Sequence, residues 1–346
     1  MTAGSAIRFV IVGSLIYLHS SAGQSQEIPG RPYRLVFYNV ENMFDARDDS
    51  LTDDKEFLPS GAMHWTTARF RQKISSIYKV LAAAGEWDPP ALAGFCEVEN
   101  KTVLQALVFD TWLSKYEYGI VTGETKDPRG IRPGIIYRKD LMKLLSFRSI
   151  EPIMETSGEF RSRKILYTKW LIYHDTVHLF LNHWPSRRRG VMAEEKVRQS
   201  ISSALKNRVD SLSTCSGGTA RIIIAGDFNC TPDDPIIISM CTNPGGVSKS
   251  PLLVNLSAGA AERGEGTFKF RGKWEMIDQI LVSASILDPV KGIYTEKEFF
   301  RIFKPDFLMQ KDVNYPGYLP FSTYRGFRYR GGFSDHLPVI LDLKVR

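Results

Sequence analysis

Arg221-Ile222-Ile223-Ile224-Ala225-Gly226-Asp227-Phe228-Asn229 is the stretch that decides how the rest of the chain is read. Three consecutive isoleucines favour a strand, because a β-branched side chain is stiff at χ1 and packs well on a pleated surface. A short, unbroken apolar run is what a strand buried on both faces looks like. The run passes without a linker into a glycine, a carboxylate and an amide. Burying Asp227 and Asn229 in an apolar core would cost desolvation, so they belong at the strand's end, where layered α/β folds collect ligands.

Five further clusters repeat this arrangement. Asn39 and Glu41 follow Val36-Phe37-Tyr38, Glu97 and Glu99 follow Phe95-Cys96, and Asn182 and His183 follow Leu179-Phe180-Leu181. Asp278 sits inside Met276–Leu281, and Asp335-His336 directly precedes Leu337-Pro338-Val339-Ile340. Taken singly, each has a plain structural explanation: Asn39 suits a turn and His183 a buried hydrogen bond. Together they supply carboxylates, amides and two imidazoles, an inventory that suits metal-assisted attack on a phosphate.

The remaining sequence predicts alternating elements. Arg34–Val40, Ala91–Val98, Ile135–Tyr137, Leu144–Ile150, Ile165–Tyr173, Val177–Leu181, Thr267–Phe270, Met276–Val282 and Val339–Leu343 carry strand patterns, with a turn expected at His174-Asp175. Phe70, Ile74, Ile77 and Leu81 repeat at helical spacing within Thr66–Ala84, which stops at Gly85. Asn100–Lys115 and Val191–Leu212 also read as helices. Alternation of this kind argues an α/β or α+β class. Tyr294–Gly332, rich in Phe, Tyr, Pro and Gly, reads as loops forming a substrate-facing insertion.

The chain has 346 residues, 43% hydrophobic and 24% charged, which is ordinary for a soluble globular protein. Its formal charge of +7 favours anionic partners: phosphates, nucleic acid or a lipid surface. Cys96, Cys215, Cys230 and Cys241 include no Cys-x-x-Cys pair, which excludes a zinc ribbon or a thioredoxin motif. Arg8, the apolar run Phe9–Leu18 and the small residues Ser20–Gly23 predict a secretory signal peptide over residues 1–23. The run is shorter than the roughly 20 residues a membrane-spanning helix needs. A secreted or periplasmic location follows, with a single domain over 30–346, no transmembrane segment, no evident protein partner, and a monomer.

The set Tyr38-Asn39-Val40-Glu41-Asn42, Glu97-Val98-Glu99-Asn100, Asn182-His183-Trp184, Gly226-Asp227-Phe228-Asn229, Ile277-Asp278-Gln279-Ile280 and Ser334-Asp335-His336-Leu337-Pro338-Val339 resembles the endonuclease/exonuclease/phosphatase superfamily, in a bacterial secreted form. That superfamily includes DNase I-like nucleases, abasic-site endonucleases, inositol-polyphosphate 5-phosphatases and bacterial sphingomyelinases. All six motifs stand in the family's order, and Gly-Asp-Phe-Asn and Ser-Asp-His are the specific ones. The resemblance implies a four-layer α/β (α+β) sandwich: two mixed sheets face to face, helices outside, and a site at one rim.

By the same resemblance, Glu97 is the principal metal-holding carboxylate, with Asn39 and Asp335 supporting the metal. Asp227 orients or deprotonates the attacking water, and Asn229 holds that water or a phosphate oxygen. His336 contacts phosphate and is oriented by Asp278, and His183 faces the leaving oxygen. Cys230 stands where the family often has Asp or Thr. Asn182-His183-Trp184 replaces the tyrosine-containing motif usual in abasic-site nucleases, which speaks against that branch. Carboxylates and amides suit a hard cation such as Mg²⁺, with Mn²⁺ or Ca²⁺ as alternatives, and no His/Cys cage for zinc is present. Arg187-Arg188-Arg189 and Arg132 are expected to contact substrate phosphates. The function expected is an extracytoplasmic endonuclease or nuclease; the alternatives are a phosphatase or phosphodiesterase of a lipid, nucleotide or sugar phosphate, or an inactive binding protein.

Overall fold

A computed structural model of the chain describes residues 31–346 except 87, 155–159, 187–190, 243–251 and 291, and for 191–193 the backbone alone. The expected leader over 1–23 and the cations Arg187, Arg188 and Arg189 therefore lie outside the described residues. In chain order the principal elements are β1 (Tyr33–Met43), α1 (Thr67–Ala84), β2 (Leu92–Val98), α2 (Lys101–Phe109), β3 (Tyr118–Thr122), β4 (Arg132–Arg138), β5 (Met142–Ile150) and β6 (Ile165–Ile172). They continue with β7 (Asp175–His183), α3 (Val191–Cys215), β8 (Arg221–Asp227), α4 (Pro235–Cys241), β9 (Leu253–Asn255), β10 (Asp278–Ser283) and β11 (Val339–Val345).

The strands form two large sheets. The first runs β11-β1-β2-β4-β3, with Ile293–Tyr294 and Phe300–Ile302 pairing along the other edge of β11. The second runs β5-β6-β7-β8-β10-β9. Each sheet holds a single parallel pair, β1 with β2 and β7 with β8, and every other pairing is antiparallel.

Alternation along each strand builds the layers. Leu35 and Phe37 of β1 pack with Leu179 and Leu181 of β7, Ile223 of β8, Ile280 of β10 and Leu341 of β11 in the core between the sheets. Val36 and Tyr38 point the other way, against Ile77 and Leu81 of α1 and Leu104 and Leu107 of α2. Ile222 and Ile224 meet Leu205 and Val209 of α3 and Ile237 of α4. The isoleucine run is thus buried on both faces, and the molecule is the expected four-layer sandwich.

The differences from the sequence reading have local causes. The helix expected over Asn100–Lys115 stops at Phe109, and Thr111 caps a separate short turn, Trp112–Lys115. The β6–β7 hairpin turns on Tyr173-His174, one residue earlier than expected, with Ile172 opposite Asp175 and Tyr173 at φ 55°. Strands β3 and β9 and helix α4 escape detection because they are short and lack a clear period. The segment Tyr294–Gly332 is not simply loop: Met309–Lys311 pairs with Tyr318–Pro320, and Tyr324–Arg325 with Arg328–Tyr329. Tyr324 and Tyr329 pack on Trp65, with ring centroids 6.0 and 6.4 Å away. None of its residues lines the site cavity described below, so it braces the site rather than facing substrate.

Gly226 shows how tightly β7 and β8 are joined. A Cβ there would stand 2.4 Å from the Asn182 carbonyl oxygen, and backbone cannot yield as a flexible side chain does. Gly226→Ala is expected to destabilise the protein by about 1–3 kcal/mol or more, as overpacking does. Denaturant unfolding checks this, and a variant as stable as the parent would contradict the packing described.

Candidate active site

The two parallel pairs run in one sense, so the C-terminal ends of β1, β2, β7 and β8 reach the same rim. Asn39, Glu97, His183 and Asp227 stand there. β10 is antiparallel to β8, with Asp278 opposite Asp227, so its first residue arrives at that rim. β11 is antiparallel to β1, with Val339 opposite Phe37, which brings Asp335 and His336 to it as well. Pairing slips between Asn39 and Met43 on β1, and between Phe95 and Val98 on β2. Glu41, Asn42, Glu97 and Asn229 all have positive φ, from 48 to 64°. Such bulges and left-handed residues re-aim side chains at strand ends.

Hydrogen bonds fix this cluster. Asn39 Nδ2 donates to Asp227 Oδ2 at 3.0 Å, and the Asn229 backbone N–H to Asp227 Oδ1 at 2.9 Å. Asn229 Nδ2 donates to the Trp184 carbonyl, and the Asn42 N–H to Glu97 Oε2 at 2.8 Å. Asp278 Oδ2 accepts from Thr267 Oγ1 and lies 2.7 Å from His336 Nδ1. Nδ1 carries the proton in that contact, since a carboxylate only accepts. His336 Nε2 then stands 4.0 Å from both Asp227 Oδ2 and Asp335 Oδ1. His183 Nε2 lies 3.7 Å from Asp227 Oδ2 and 3.8 Å from Glu97 Oε1. Asp227 therefore sits between two imidazoles.

The two histidines are driven apart. Burial would strip the proton from His336, but the charge and hydrogen bond of Asp278, with Asp335 and Asp227, hold its pKa well above the usual value. Burial, then Arg163, Arg129 and His336, push His183 well below it. Asp227 rises to about 7, first through burial and then through the charge of Asp278.

A cavity of about 510 Å³ opens over this cluster. Glu41, Glu97, Asp127, Glu194, Asp227, Glu275 and Asp335 line it against Arg129, Arg161 and Arg163. Seven carboxylates facing three arginines leave an anionic hollow, and a phosphate could enter only if a further cation offset it. This donor set of hard oxygens, with Glu97 foremost, fits a divalent ion such as Mg²⁺. Asp227, Asp278 and His336 also offer ligand atoms within 4.8 Å of one another. Asp278 Oδ2 is already occupied by Thr267 and His336, so we read that triple as a proton-handling group, not as the metal centre.

Of the residues singled out from sequence, Asn39, Glu97, His183, Asp227, Asn229, Asp278, Asp335 and His336 converge here. Arg132 does not. Its Nε donates to the Gly130 carbonyl, its charge faces Asp49 and Glu99, and it is absent from the cavity wall, because Gly130 turns the chain before β4. Glu99 points away from the site and accepts from the Asp45 N–H at 2.7 Å. Asn182 bonds the Phe180 and Ala225 carbonyls and has a structural place. Arg129, Arg161 and Arg163 were missed. Arg129 lies in Asp127-Pro128-Arg129-Gly130, which reads as an ordinary turn, and Arg161 and Arg163 sit before β6 with no signal beyond their charge. Glu41 is buried behind the site, accepting the Thr323 and Tyr324 N–H groups at 2.6 and 3.0 Å.

Buried carboxyls make stability depend on pH. Burial and neighbouring carboxylates raise Asp227 and Glu41 to about 7 and Glu99 to about 8. A group whose pKa is raised by folding contributes stability at low pH and loses it as pH rises through the folded value. The raised His336 acts in the same direction. His183 and His178, both depressed, oppose this only below about pH 6.5. Metal-free protein is therefore expected to melt at a lower temperature at about pH 8 than at about pH 6.5, with Mg²⁺ restoring more at the higher pH. Thermal melts in chelator check this, and a melting point that rises across the window would contradict it.

The sequence pattern described as the Endonuclease/Exonuclease/phosphatase family matches residues 34–345. No curated protein matches the sequence. Solved structures share the fold at low identity. D. rerio TDP2 complexed with a single-strand DNA product is 14% identical with a TM-score of 0.55, covering 91% of this chain and 99% of that one. The human Nocturnin catalytic domain with bound sulfate is 14% identical with a TM-score of 0.54, covering 91% and 95%. A Bacteroides thetaiotaomicron mannosyl-6-phosphatase is 16% identical with a TM-score of 0.54, covering 90% and 99%. With the pattern running from the first strand to the last, this chain belongs to the Endonuclease/Exonuclease/phosphatase family, whose members are divalent-metal-dependent hydrolases of phosphoric esters.

Proposed function

We propose that this protein is a secreted or periplasmic, Mg²⁺-dependent phosphodiesterase that cleaves nucleic acid and works as a monomer. The observation that carries the reaction class is Asp227, tied by Asn39 and Asn229 and flanked by one proton-rich and one proton-poor imidazole. Asp227 is placed to take the proton of the attacking water. Asn229, held on the Trp184 carbonyl, positions the water or a phosphoryl oxygen. His336, its ring fixed by Asp278 and its proton retained, offers Nε2–H to an oxygen that gains charge in the transition state. His183 stands on the other side of Asp227, toward the leaving oxygen. Glu97, supported by Asn39 and Asp335, would hold the divalent ion, which would neutralise charge on the phosphoryl group.

Three features support a nucleic acid substrate. The chain is basic overall. Phe268 and the half-exposed Phe270 lie at the cavity wall, and Phe268 packs on His336 at 5.0 Å, so bases have a surface on which to stack. One protein of the same fold holds a single-strand DNA product. A second reading, a phosphatase of sugar or nucleotide phosphates, is favoured by the concave shape of the site, which suits a small ester, and by the mannosyl-6-phosphatase of the same fold.

The test is hydrolysis of single-stranded DNA, plasmid and RNA beside mannose 6-phosphate, with Mg²⁺. Nucleic acid is expected to be the better substrate, and Glu97→Gln and Asp227→Asn are each expected to lower kcat by about 10²–10⁴-fold with the fold intact. Turnover of mannose 6-phosphate with none of the polymers would establish the second reading. Near-parental activity of Glu97→Gln at saturating Mg²⁺ would remove the metal role assigned to it.

A further inference from the structure

The cationic part of the cavity wall is built around one carboxylate. Arg163 is buried and committed: Nη1 donates to Asp127 Oδ2 at 2.9 Å and Nη2 to the Trp184 carbonyl at 2.8 Å. Arg129 approaches the same Asp127 from the other side, Nε to Oδ1 at 3.2 Å and Nη2 to Oδ2 at 3.3 Å. The Arg129 N–H also donates to Oδ1 at 3.0 Å, which fixes the turn. One carboxylate against two guanidiniums leaves a net positive charge. Arg129 carries it toward the cavity, because its side chain is 31% exposed where that of Arg163 is 8%. Its remaining nitrogen, Nη1, makes only a 3.5 Å contact with Asn42 Oδ1.

The place of this pair relative to the reaction follows from shared partners. The Trp184 carbonyl that receives Arg163 also receives Asn229 Nδ2 at 2.9 Å. Asn42, which Arg129 reaches, donates its N–H to Glu97. The arginines thus border the reaction centre on the side of His183, while the aromatic wall of Phe268 borders it on the side of His336. A cation held ready beside the leaving-group side has no duty toward the scissile phosphate, which the metal and His336 serve.

We propose that Arg129, braced through Asp127 by Arg163, forms a second anion subsite that selects phosphate esters carrying a further phosphate on the leaving-group side. This rests on the phosphoester reading and names the substrate class more narrowly. The second phosphate could be the next one along a nucleic acid strand or that of a small bisphosphate, and the experiment separates the two sources.

Two substrate pairs decide it: a thymidine dinucleotide with and without a terminal phosphate, and fructose 1,6-bisphosphate beside fructose 6-phosphate, each with Mg²⁺. The parent enzyme is expected to favour the doubly charged member of the pair it hydrolyses by about tenfold or more in kcat/KM, the worth of a charge-assisted hydrogen bond. Arg129→Ala is expected to bring that ratio to within about twofold of one, and Arg129→Lys to recover part of it. Thermal melts show that the variants are folded. The readout is a ratio, so a general loss of activity does not mimic the result. A ratio near one in the parent, or one that Arg129→Ala leaves unchanged, overturns the subsite. Preference confined to the sugar pair with no dinucleotide turnover keeps the subsite and removes the nuclease reading. Hydrolysis of none of the four overturns both.

Discussion

Everything at the site depends on two sheets packed face to face being pinned together at one rim. Asn39 belongs to the first sheet and Asp227 to the second, and their hydrogen bond crosses between them. Asp278 begins a strand of the second sheet and holds His336, which precedes a strand of the first. Each bond therefore joins layers as well as orienting a reactive group. A shift between the sheets that the apolar core would tolerate would still break both bonds and leave buried polar groups unpaired, at a cost of about 1–3 kcal/mol each. Register in the core and geometry in the site are one constraint.

Behind that rim the fold keeps a cation of its own. Lys73 of α1 is fully buried and donates to Thr323 Oγ1 and the Phe333 carbonyl, both 2.5 Å away. Burial pulls its pKa down to about 8, while Glu41 and Asp335 support its charge. Glu41, whose carboxylate receives the backbone of Thr323 and Tyr324, is the counter-charge that fixes the 321–334 segment, and so the approach to Asp335 and His336. The outer helix α1 reaches the chemistry through this pair. That explains why a stretch resembling a surface insertion is anchored by aromatic packing on Trp65.

Much of this was legible in the sequence because the fold and the site draw on the same strands. The isoleucine run gave a doubly buried strand, and the polar residues at six strand ends could be grouped without knowing the topology. The arginines were not legible. Arg132 lies in a better apolar context than Arg129, yet the turn at Gly130 carries Arg132 outward and leaves Arg129 facing the cavity, and Gly130 is held at φ 79°. Glu99 and Glu97 are two apart and both follow Phe95-Cys96, yet the slipped pairing at the end of β2 sends one into the cavity and the other behind it. Such choices depend on bulges and positive φ, which composition and period do not encode.

The division of labour at the centre, with Glu97 holding the ion and Asp278 holding His336, is tested most directly by anomalous diffraction from crystals soaked in Mn²⁺. The account predicts a manganese peak against Glu97, with the Asp278–His336 hydrogen bond intact. A peak seated among Asp227, Asp278 and His336, with His336 turned to ligate through its ring nitrogen, would contradict it.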